Sequence, residues 1–496
     1  MTEASAEGGA PQTSKALRWF FLLLVSVVIA TNYYVYDAMS AIKATMQADL
    51  GISNTHYGIL VSFYSFPNTF LFMTLIGGII LDRYGIRKVG LMFTLFCFLG
   101  ALLTAYGTSE TFRSGGFGHE FFGAFLTQFS PELKVMILGR LLYGLGAETS
   151  IVVINKVVVK WFKGKEMAFA FGVNLALARL GTAAALILSP TMIGEGVELW
   201  HTDAPVLSFF AGIYNSGVEA IGRVVAGTGL GWTSALWFAT ILMGTGLLFF
   251  IIYVMFDRAY DRSSRAGSLL DEDERFQVSD ITDLLKNKAF IYISMLCVTF
   301  YSAVFPFQAY CPDFLHNKFG LSQNVSGTLT SVIIWGTIVF TPLFGYLVDK
   351  KGKRATLMVF GSGMLLAVHL SLALTYLTPF VAMFVLGIAF SLVPAAMWPG
   401  VARVVEEKRL GTAYGLMTWI QNLGLFAFPT LAGWVLDATN PTVKPELVEA
   451  GKASYDYTYT VLMFATLGLA GFLFSFLLKR EDAKSGDRLE LPEIAD

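Results

Sequence analysis

A carboxylate and a guanidinium interrupt two neighbouring apolar segments of the sequence. Glu148 lies near the middle of the segment 134–159, and Arg179 near the middle of the segment 165–192. A charge at the centre of a bilayer costs roughly 2.5–3.5 kcal/mol on insertion scales, so such a residue faces a cavity or a partner. Arginine can hold a carboxylate with two parallel hydrogen bonds, and glutamate can accept from an ammonium. The two residues therefore suit a small zwitterion, and a structural salt bridge between them is the alternative.

Polar residues on the first apolar segment are a second candidate set. Asn32, Tyr33 and Tyr36 lie within about one helical turn and could share a face. The tyrosines could line a wet pocket or could pack in the core. Asp37 lies in the external half of the segment, where it could gate, bind substrate or carry a proton. The alternative for Asp37 is a capping role or an ion pair with Lys43.

The second half of the chain also carries polar and aromatic residues within apolar segments. Gln421 and Asn422 could bind peptide groups, because amides both donate and accept hydrogen bonds. Phe307 and Trp398 are the aromatic candidates for the same site. We expect these four residues to contribute the second wall of a substrate cavity.

The composition requires a lipid environment for most of the chain. Of 496 residues, 55% are hydrophobic and only 14% are charged, against about a quarter in soluble domains. The mean hydropathy is +0.61, and twelve apolar segments are long enough to span a bilayer as helices. The twelve segments are 17–44, 55–82, 86–107, 134–159, 165–192, 232–256, 288–312, 322–348, 354–376, 378–402, 411–436 and 457–478.

Lysine and arginine are concentrated on one side of these segments, which predicts cytoplasmic N- and C-termini. We expect an all-α membrane protein of two pseudo-symmetric six-helix bundles in a cell inner (plasma) membrane. The predicted regions are an N-terminal tail (1–16), a first bundle (17–256) with external segments 108–133 and 193–231, a cytoplasmic linker (257–287), a second bundle (288–478) and a loose polar tail (479–496).

A short motif is repeated in the loop after the second span of each half. Its residues are Gly78, Asp82, Arg83, Gly85 and Arg87 in the first copy and Gly345, Asp349, Lys350, Gly352 and Lys353 in the second. The repeat resembles the signature loop of the major facilitator superfamily and indicates duplication. The glycines permit close helix approach, and each aspartate can face the positive N-terminal dipole of a helix in the other half. We expect a cytoplasmic latch against the starts of the eleventh span (410–412) and the fifth (164–166), holding the outward-open state.

Further stretches resemble one branch of that superfamily. Gly139-Arg140-Leu-Leu-Tyr-Gly144 is similar to a second family motif, whose arginine is often tied to coupling. The stretches around Glu148 and Arg179, together with Ile420-Gln421-Asn422, resemble the lysosomal dipeptide-uniporter branch. The resemblance implies dipeptide transport by uniport with rocker-switch alternating access. It assigns the peptide amine to Glu148 and the peptide carboxylate to Arg179.

Other function classes receive less support from the sequence. It shows no paired catalytic carboxylates, no His/Cys metal cluster, no nucleophile elbow and no phosphate-binding loop, so we expect no enzyme, pump, metal or cofactor. A carrier of a small organic or inorganic anion remains an alternative, because Arg140 and Arg179 could each hold a carboxylate. A membrane receptor or enzyme is the remote alternative. Uniport and proton coupling both stay open, as do a monomer and a complex with an accessory subunit, and the lysosomal membrane is the site if the host is eukaryotic.

Overall fold

The computed structural model describes residues 14–162, 165–193, 208, 212, 231–264, 278–486 and 489–492. Within these residues every regular element is a helix, and we number the membrane-spanning helices in the order of the predicted spans. They are α1 Lys15–Asp37, α2 in three pieces (Asn54–Ser62, Phe66–Phe70 and the first part of Met73–Gly107), α3 the remainder of Met73–Gly107, α4 Pro131–Phe162, α5 Met167–Thr191, α6 Thr233–Ser264, α7 Lys288–Phe319, α8 Gln323–Lys351, α9 Arg354–Leu374, α10 Pro379–Val404, α11 Leu410–Thr439 and α12 Thr458–Ser485.

Ten helices of the described residues are long and apolar enough to cross a membrane. The broken α2 and α11 are not among them. Short helices connect the spans: Ser40–Ile42, Lys43–Leu50, Glu110–Arg113, His119–Gly123, Val278–Leu284, Glu407–Arg409 and Pro445–Glu449. The predicted external segment 193–231 and the centre of the linker lie mostly outside the described residues.

The second span is not one continuous helix. Its first piece ends at Ser62, Pro67 opens the second piece, and Phe72 takes a left-handed backbone conformation (φ 52°) before the third. Proline removes a backbone donor, which favours a break at this point. Gly85 (φ 78°, ψ 162°) then turns the chain from α2 into α3, a conformation that glycine adopts without steric cost. The breaks place the non-helical residues between Ser62 and Phe66 at the centre of the protein.

Two seams join the six-helix halves, one between α2 and α11 and one between α5 and α8. Glycines allow the backbones to touch at both seams. A Cβ at Gly58 of α2 would lie 2.3 Å from the carbonyl oxygen of Pro429, and one at Gly327 of α8 would lie 2.1 Å from that of Leu186. Any larger side chain at these positions would push the halves apart.

A buried polar lock closes the side of the protein opposite to the two termini. The Lys43 Nζ of the first half lies 2.6 Å from the Asp313 Oδ2 of α7, and both side chains are almost fully buried. The same Nζ donates to the Asn54 Oδ1 at 2.6 Å, and the Asn54 amide donates in turn to the Asp437 carboxylate of α11 at 2.9 Å. Four tyrosine rings surround the ammonium: Tyr57, Tyr310, Tyr455 and Tyr457.

The side that carries the two termini is more open. The Asp82 side chain is 74% exposed and pairs with Lys156 of its own half, so the latch predicted between Asp82 and α11 is not made in this conformation. No atom lies within 4 Å of the Cβ positions of Gly78 and Gly345. At the start of α5, Lys15 of α1 bonds to Glu166 and holds the pKa of that carboxyl below its ordinary value. The structure is therefore closed opposite to the termini and open towards them.

Residues 489–492 of the C-terminal tail pack against the second copy of the repeated motif, which differs from the expectation of a loose tail for this part. The Glu490 carboxylate accepts from the backbone and hydroxyl of Thr356 at the first turn of α9, and the Leu489 carbonyl accepts from the Arg354 amide at 3.0 Å. Gly352 lies directly against Leu491. A carboxylate at a helix N-terminus satisfies donors that the helix leaves unpaired.

Candidate functional site

A cavity of about 210 Å³ lies between the two halves. Its first-half lining comes from α1, α2, α4 and α5, and its second-half lining from α7 and α11. The lining residues are Asn32, Tyr33, Tyr36, Asp37, Tyr64, Tyr143, Ala147, Glu148, Ile151 and Thr182 on one side and Phe305, Gln421 and Leu425 on the other. All the charged groups of this lining belong to the first half.

Glu148 lies on α4 at the cavity wall, and an uncharged group holds its carboxylate. The Tyr64 hydroxyl, from the break in α2, donates to the Glu148 Oε1 at 2.8 Å. Ile151 and Ala147 lie beside it on the same helix and line the same wall. The carboxylate therefore keeps acceptor capacity for a second donor from the cavity.

Arg179 lies on α5 next to the same cavity. Its guanidinium carbon is 5.8 Å from the ring centre of Tyr33, which lines the cavity, and 5.0 Å from that of Phe390 on α10. In the described part of the chain the guanidinium has no ion pair, and in particular none with Glu148. The salt-bridge alternative is thus not realised in this conformation. Aromatic faces attract the cation without using its N–H donors.

Arg140 lies behind the cavity and is 2% exposed. Its guanidinium carbon is 5.4–5.8 Å from the ring centres of Tyr36, Tyr64 and Tyr143. The Nη1 donates to the carbonyl of Val35 at 3.4 Å, and the Nε finds no acceptor among the residues that the structure describes. Within the described residues, Arg140 is therefore a buried cation beside the cavity without a carboxylate partner.

Asp37 lies at the end of α1 and is 3% exposed. Its Oδ1 accepts from the Gln308 Nε2 of α7 at 3.1 Å, so this hydrogen bond joins the two halves. The alternative pairing of Asp37 with Lys43 is not made, because Lys43 is bound to Asp313 in the lock. Asp37 thus occupies a position that both substrate and conformational change can affect.

Three predicted substrate contacts lie away from the cavity lining. Phe307 is buried in the second half against Phe314, His369 and Phe464. The Trp398 Nε1 donates to the Tyr301 hydroxyl at 2.9 Å. The Asn422 side-chain amide donates to the backbone carbonyl of Thr418 on its own helix. The backbone carbonyl of Asn422 accepts from the Thr69 hydroxyl at 3.0 Å.

The remaining predicted contacts reach the cavity. Gln421 lines it, and the Cys297 thiol donates to the Gln421 carbonyl oxygen at 3.7 Å. Tyr33 and Tyr36 lie on the opposite wall. The Asn32 amide donates to the Ser150 hydroxyl at 3.1 Å, which ties α1 to α4 beside Glu148. The structure thus brings together the predicted residues of the first half and one of the second.

The motif residues form contacts within their own halves. Arg87 binds the carboxylates of Asp257 and Asp261 at the end of α6. The Arg83 guanidinium lies over the ring of Tyr84 at 5.4 Å, and the Lys350 ammonium lies over the ring of Tyr346 at 5.9 Å. Lys353 directly precedes α9 and donates its backbone amide to the Glu490 carbonyl at 3.1 Å.

Several site residues are absent from the predicted set. Tyr64, Tyr143, Thr182 and Phe305 all line the cavity. Pro67, three residues after Tyr64, signals the break in α2 that brings Tyr64 to the site. Tyr143 lies within the Gly139–Gly144 motif, but the motif does not indicate which of its side chains face the cavity. Thr182 and Phe305 lie in apolar helix sequence, which carries no comparable signal.

Comparison with known proteins identifies the family. The model of the Major Facilitator Superfamily matches residues 22–202 and 308–494. The Lysosomal dipeptide transporter MFSD1 of Mus musculus is 31% identical over 88% of this chain and 85% of that protein, and that of Homo sapiens is 31% identical over 87% and 85%. A crystal structure of a bacterial homologue of the human lysosomal transporter Spinster matches with a TM-score of 0.65 at 16% identity, covering 96% of this chain and 99% of the other. The chain belongs to the Major Facilitator Superfamily of membrane transporters.

Proposed function

We propose that the protein is a secondary carrier of dipeptides that works by alternating access. The observation that carries the proposal is a pair of opposite charges with no ion pair between them: Glu148 lines the cavity, and Arg179 lies next to it against Tyr33. A dipeptide supplies the missing partners, an ammonium at one end and a carboxylate at the other. The names of the relatives support the same substrate class.

The surroundings of the two charges favour binding of a zwitterion. Tyr64 orients the Glu148 carboxylate, and the Arg179 guanidinium lies over the rings of Tyr33 and Phe390. These ring contacts use none of the N–H donors of Arg179, which can make two parallel hydrogen bonds to a carboxylate. Prior orientation of both groups reduces the entropy lost on binding.

The inter-half contacts fit an alternating-access cycle. If the termini are cytoplasmic, as the positive-inside rule predicts, the structure is inward-facing and the lock of Lys43 with Asp313 closes the external side. Opening to the outside then requires this ion pair to separate and the α2–α11 and α5–α8 seams to rock. The exposed Asp82 becomes available to the latch in the outward-open state.

Asp37 is the residue that would distinguish uniport from proton coupling. Its carboxylate bonds to Gln308 across the halves, and it shares the cavity with Glu148. In a uniporter, neither acid exchanges a proton with the bulk during the cycle. Dipeptide uptake into proteoliposomes that is independent of an imposed pH gradient supports uniport, and uptake driven by the gradient supports symport.

The first experiment is a thermal-stability screen of the purified protein with dipeptides, tripeptides, free amino acids and organic anions. A ligand that prefers the folded state raises the melting temperature. We expect dipeptides to raise it in the wild type but not in Arg179→Ala or Glu148→Gln. Gln323→Ala is the control and should keep the dipeptide response, because Gln323 does not line the cavity and instead donates a hydrogen bond to the Thr45 hydroxyl. A response to monoanions alone that Glu148→Gln does not alter would contradict the proposal.

A carrier of small anions is the second candidate function. Arg140 and Arg179 both lie at the cavity, and neither pairs with a carboxylate in the described part of the chain. An anion without an ammonium needs neither Glu148 nor its hydrogen bond from Tyr64. Retention of transport in Glu148→Gln therefore separates this candidate from the dipeptide carrier.

For the cellular setting, we propose a multi-pass protein of the inner (plasma) membrane with both termini in the cytoplasm. In a eukaryotic host the names of the relatives favour the lysosomal membrane. We propose a carrier that functions as a monomer, with an accessory subunit as the alternative. Size-exclusion chromatography with light scattering on the solubilised protein tests this assignment.

A further inference from the structure

The two walls of the cavity differ in chemistry. The first half contributes both carboxylates, Glu148 and Asp37, together with polar side chains and the apolar Ala147 and Ile151. The second half contributes no charged side chain to this lining but the rings and chains of Phe305 and Leu425 and the amide of Gln421. If charged residues bind the two ends of the peptide backbone, they come from the first half. The second half can then contact the side chains of the substrate.

Phe305 of α7 is part of a rigid aromatic cluster. Its ring stacks on that of Tyr301 with centres 5.6 Å apart and planes 12° apart. The Phe390 ring meets the Phe305 ring edge-on, with centres 5.4 Å apart. Trp398 in turn fixes Tyr301 through its hydroxyl. Phe305 is half-buried, because it lines the cavity with the surface that this cluster leaves free.

The same cluster contacts Arg179, the residue proposed to bind the substrate carboxylate. The Phe390 ring contacts Phe305 on one side and the Arg179 guanidinium, at 5.0 Å, on the other. In a dipeptide the carboxylate and the C-terminal side chain branch from one Cα atom. A carboxylate bound by Arg179 therefore brings the C-terminal side chain close to Phe305.

The other end of the site carries the carboxylates and most of the polar groups, beside the smaller apolar surface of Ala147 and Ile151. Around Glu148 lie the Tyr64 hydroxyl, Asn32 and Asp37, and the tyrosine rings there already face the Arg140 guanidinium. An apolar N-terminal side chain would separate these groups from water without replacing their hydrogen bonds, which is unfavourable.

We infer that the site selects dipeptides whose C-terminal residue is aromatic or large and apolar, and that Phe305 is the residue that recognises this side chain. The inference rests on the proposed dipeptide function. A ring packed against Phe305 gains apolar burial and edge or stacking contacts, and Phe390 supports Phe305 from behind. The N-terminal residue is held by its ammonium and contributes less selectivity.

The test compares Gly-Phe with Phe-Gly, which have the same composition and charge and differ only in order. Dissociation constants are measured by isothermal titration calorimetry on the solubilised full chain, with Gly-Gly as the reference ligand. We expect Gly-Phe to bind about tenfold more tightly than Phe-Gly, as the burial of part of one aromatic ring predicts. Phe305→Ala should remove this difference and leave the affinity for Gly-Gly within about twofold.

Leu425→Ala is the matched control, since Leu425 is the other apolar residue that the second half contributes to the cavity. It should preserve the preference for Gly-Phe. Equal binding of the two isomers by the wild type, or an equal loss of Gly-Gly and Gly-Phe affinity in Phe305→Ala, would overturn the inference while the dipeptide function stands. Absence of binding by all three dipeptides to the folded wild type would instead refute the dipeptide function and the inference with it.

Discussion

Glu148 and Arg179 are each held by uncharged neighbours, a tyrosine hydroxyl in one case and two aromatic rings in the other. Such neighbours orient a charge without neutralising it. Placing a charge in an apolar helix bundle is unfavourable, and the proposed dipeptide would supply the missing partner of each charge. Binding at Glu148 and Arg179 should therefore depend on the orientation of the two side chains as much as on their charge.

Tyr64→Phe tests the orientation of the carboxylate. The substitution removes the hydrogen bond to Glu148 and keeps the ring that contacts Arg140. A hydrogen bond to a charged group contributes about 1.5–3 kcal/mol, so we expect dipeptide affinity to fall about tenfold or more. Tyr36→Phe is the control, because the Tyr36 ring also lies over Arg140 but its hydroxyl does not bond to Glu148. An equal loss in both variants would contradict a specific role of Tyr64.

Arg179→Lys tests the geometry of the carboxylate anchor at constant charge. Lysine keeps the positive charge but loses the planar fork and the stacking on aromatic faces. We expect dipeptide affinity to fall about tenfold, with the melting temperature of the ligand-free protein almost unchanged. Calorimetric titration with Gly-Gly measures the loss. Wild-type affinity in this variant would show that a point charge suffices.

At the scale of elements, the structure depends on breaks and caps that hydropathy does not reveal. The apolar run 55–82 predicts one continuous span, yet α2 is in three pieces around Pro67 and Phe72. Helix direction explains the error at Phe307: residues two apart differ by about 200° around a helix axis. Phe305 therefore faces the cavity, while Phe307 faces the buried core of the second half. A charged residue within an apolar helix is expected to face a cavity or a partner, so its side chain can be placed from the sequence. An aromatic ring can face either the cavity or the buried core, so its direction cannot be placed in this way.

Lys43→Met tests the Lys43–Asp313 lock on the side opposite to the termini. Removal of one partner leaves the Asp313 carboxylate buried and without its cation, which typically costs about 3–5 kcal/mol. We expect a lower melting temperature and longer distances between spin labels at Thr111 and Leu377, which lie in connections on that side of the two halves. Double electron–electron resonance measures these distances.

The double variant Lys43→Met/Asp313→Leu controls for simple destabilisation. An apolar pair can replace a buried ion pair at little cost, so the melting temperature should recover. The longer distances should remain, because the bond between the halves is still absent. Unchanged distances in Lys43→Met would show that the seams alone hold that side closed.

Glu490→Ala tests the contact of the tail with α9. The carboxylate accepts from the backbone and side chain of Thr356, and loss of a helix cap costs about 1 kcal/mol. We expect a slightly lower melting temperature and faster proteolytic removal of the C-terminus. Lys484→Ala, an exposed change on α12, should have neither effect. Equal proteolysis rates in wild type and Glu490→Ala would argue against this contact.

At the scale of the whole molecule, sequence reasoning recovers the two-bundle fold, because apolar length and the repeated motif determine it. It also identifies the family, which the match over residues 22–202 and 308–494 confirms. It does not predict which side is closed, since that depends on inter-half contacts such as the one between Lys43 and Asp313. These partners are far apart in the chain, and neither residue is unusual for its position at a helix end.

The assignment of the peptide amine to Glu148 and of the peptide carboxylate to Arg179 is tested by modifying the ligand and the protein together. Binding of Gly-Gly, N-acetyl-Gly-Gly and Gly-Gly-amide is measured by calorimetry for the wild type, Glu148→Gln and Arg179→Ala. We expect the wild type to bind Gly-Gly more tightly than either blocked form. Glu148→Gln should lose only the preference for Gly-Gly over the acetylated peptide, and Arg179→Ala should lose only the preference over the amide. If the wild type binds either blocked peptide as tightly as Gly-Gly, the blocked end of the peptide is not bound through its charge, and the proposed zwitterion site is wrong.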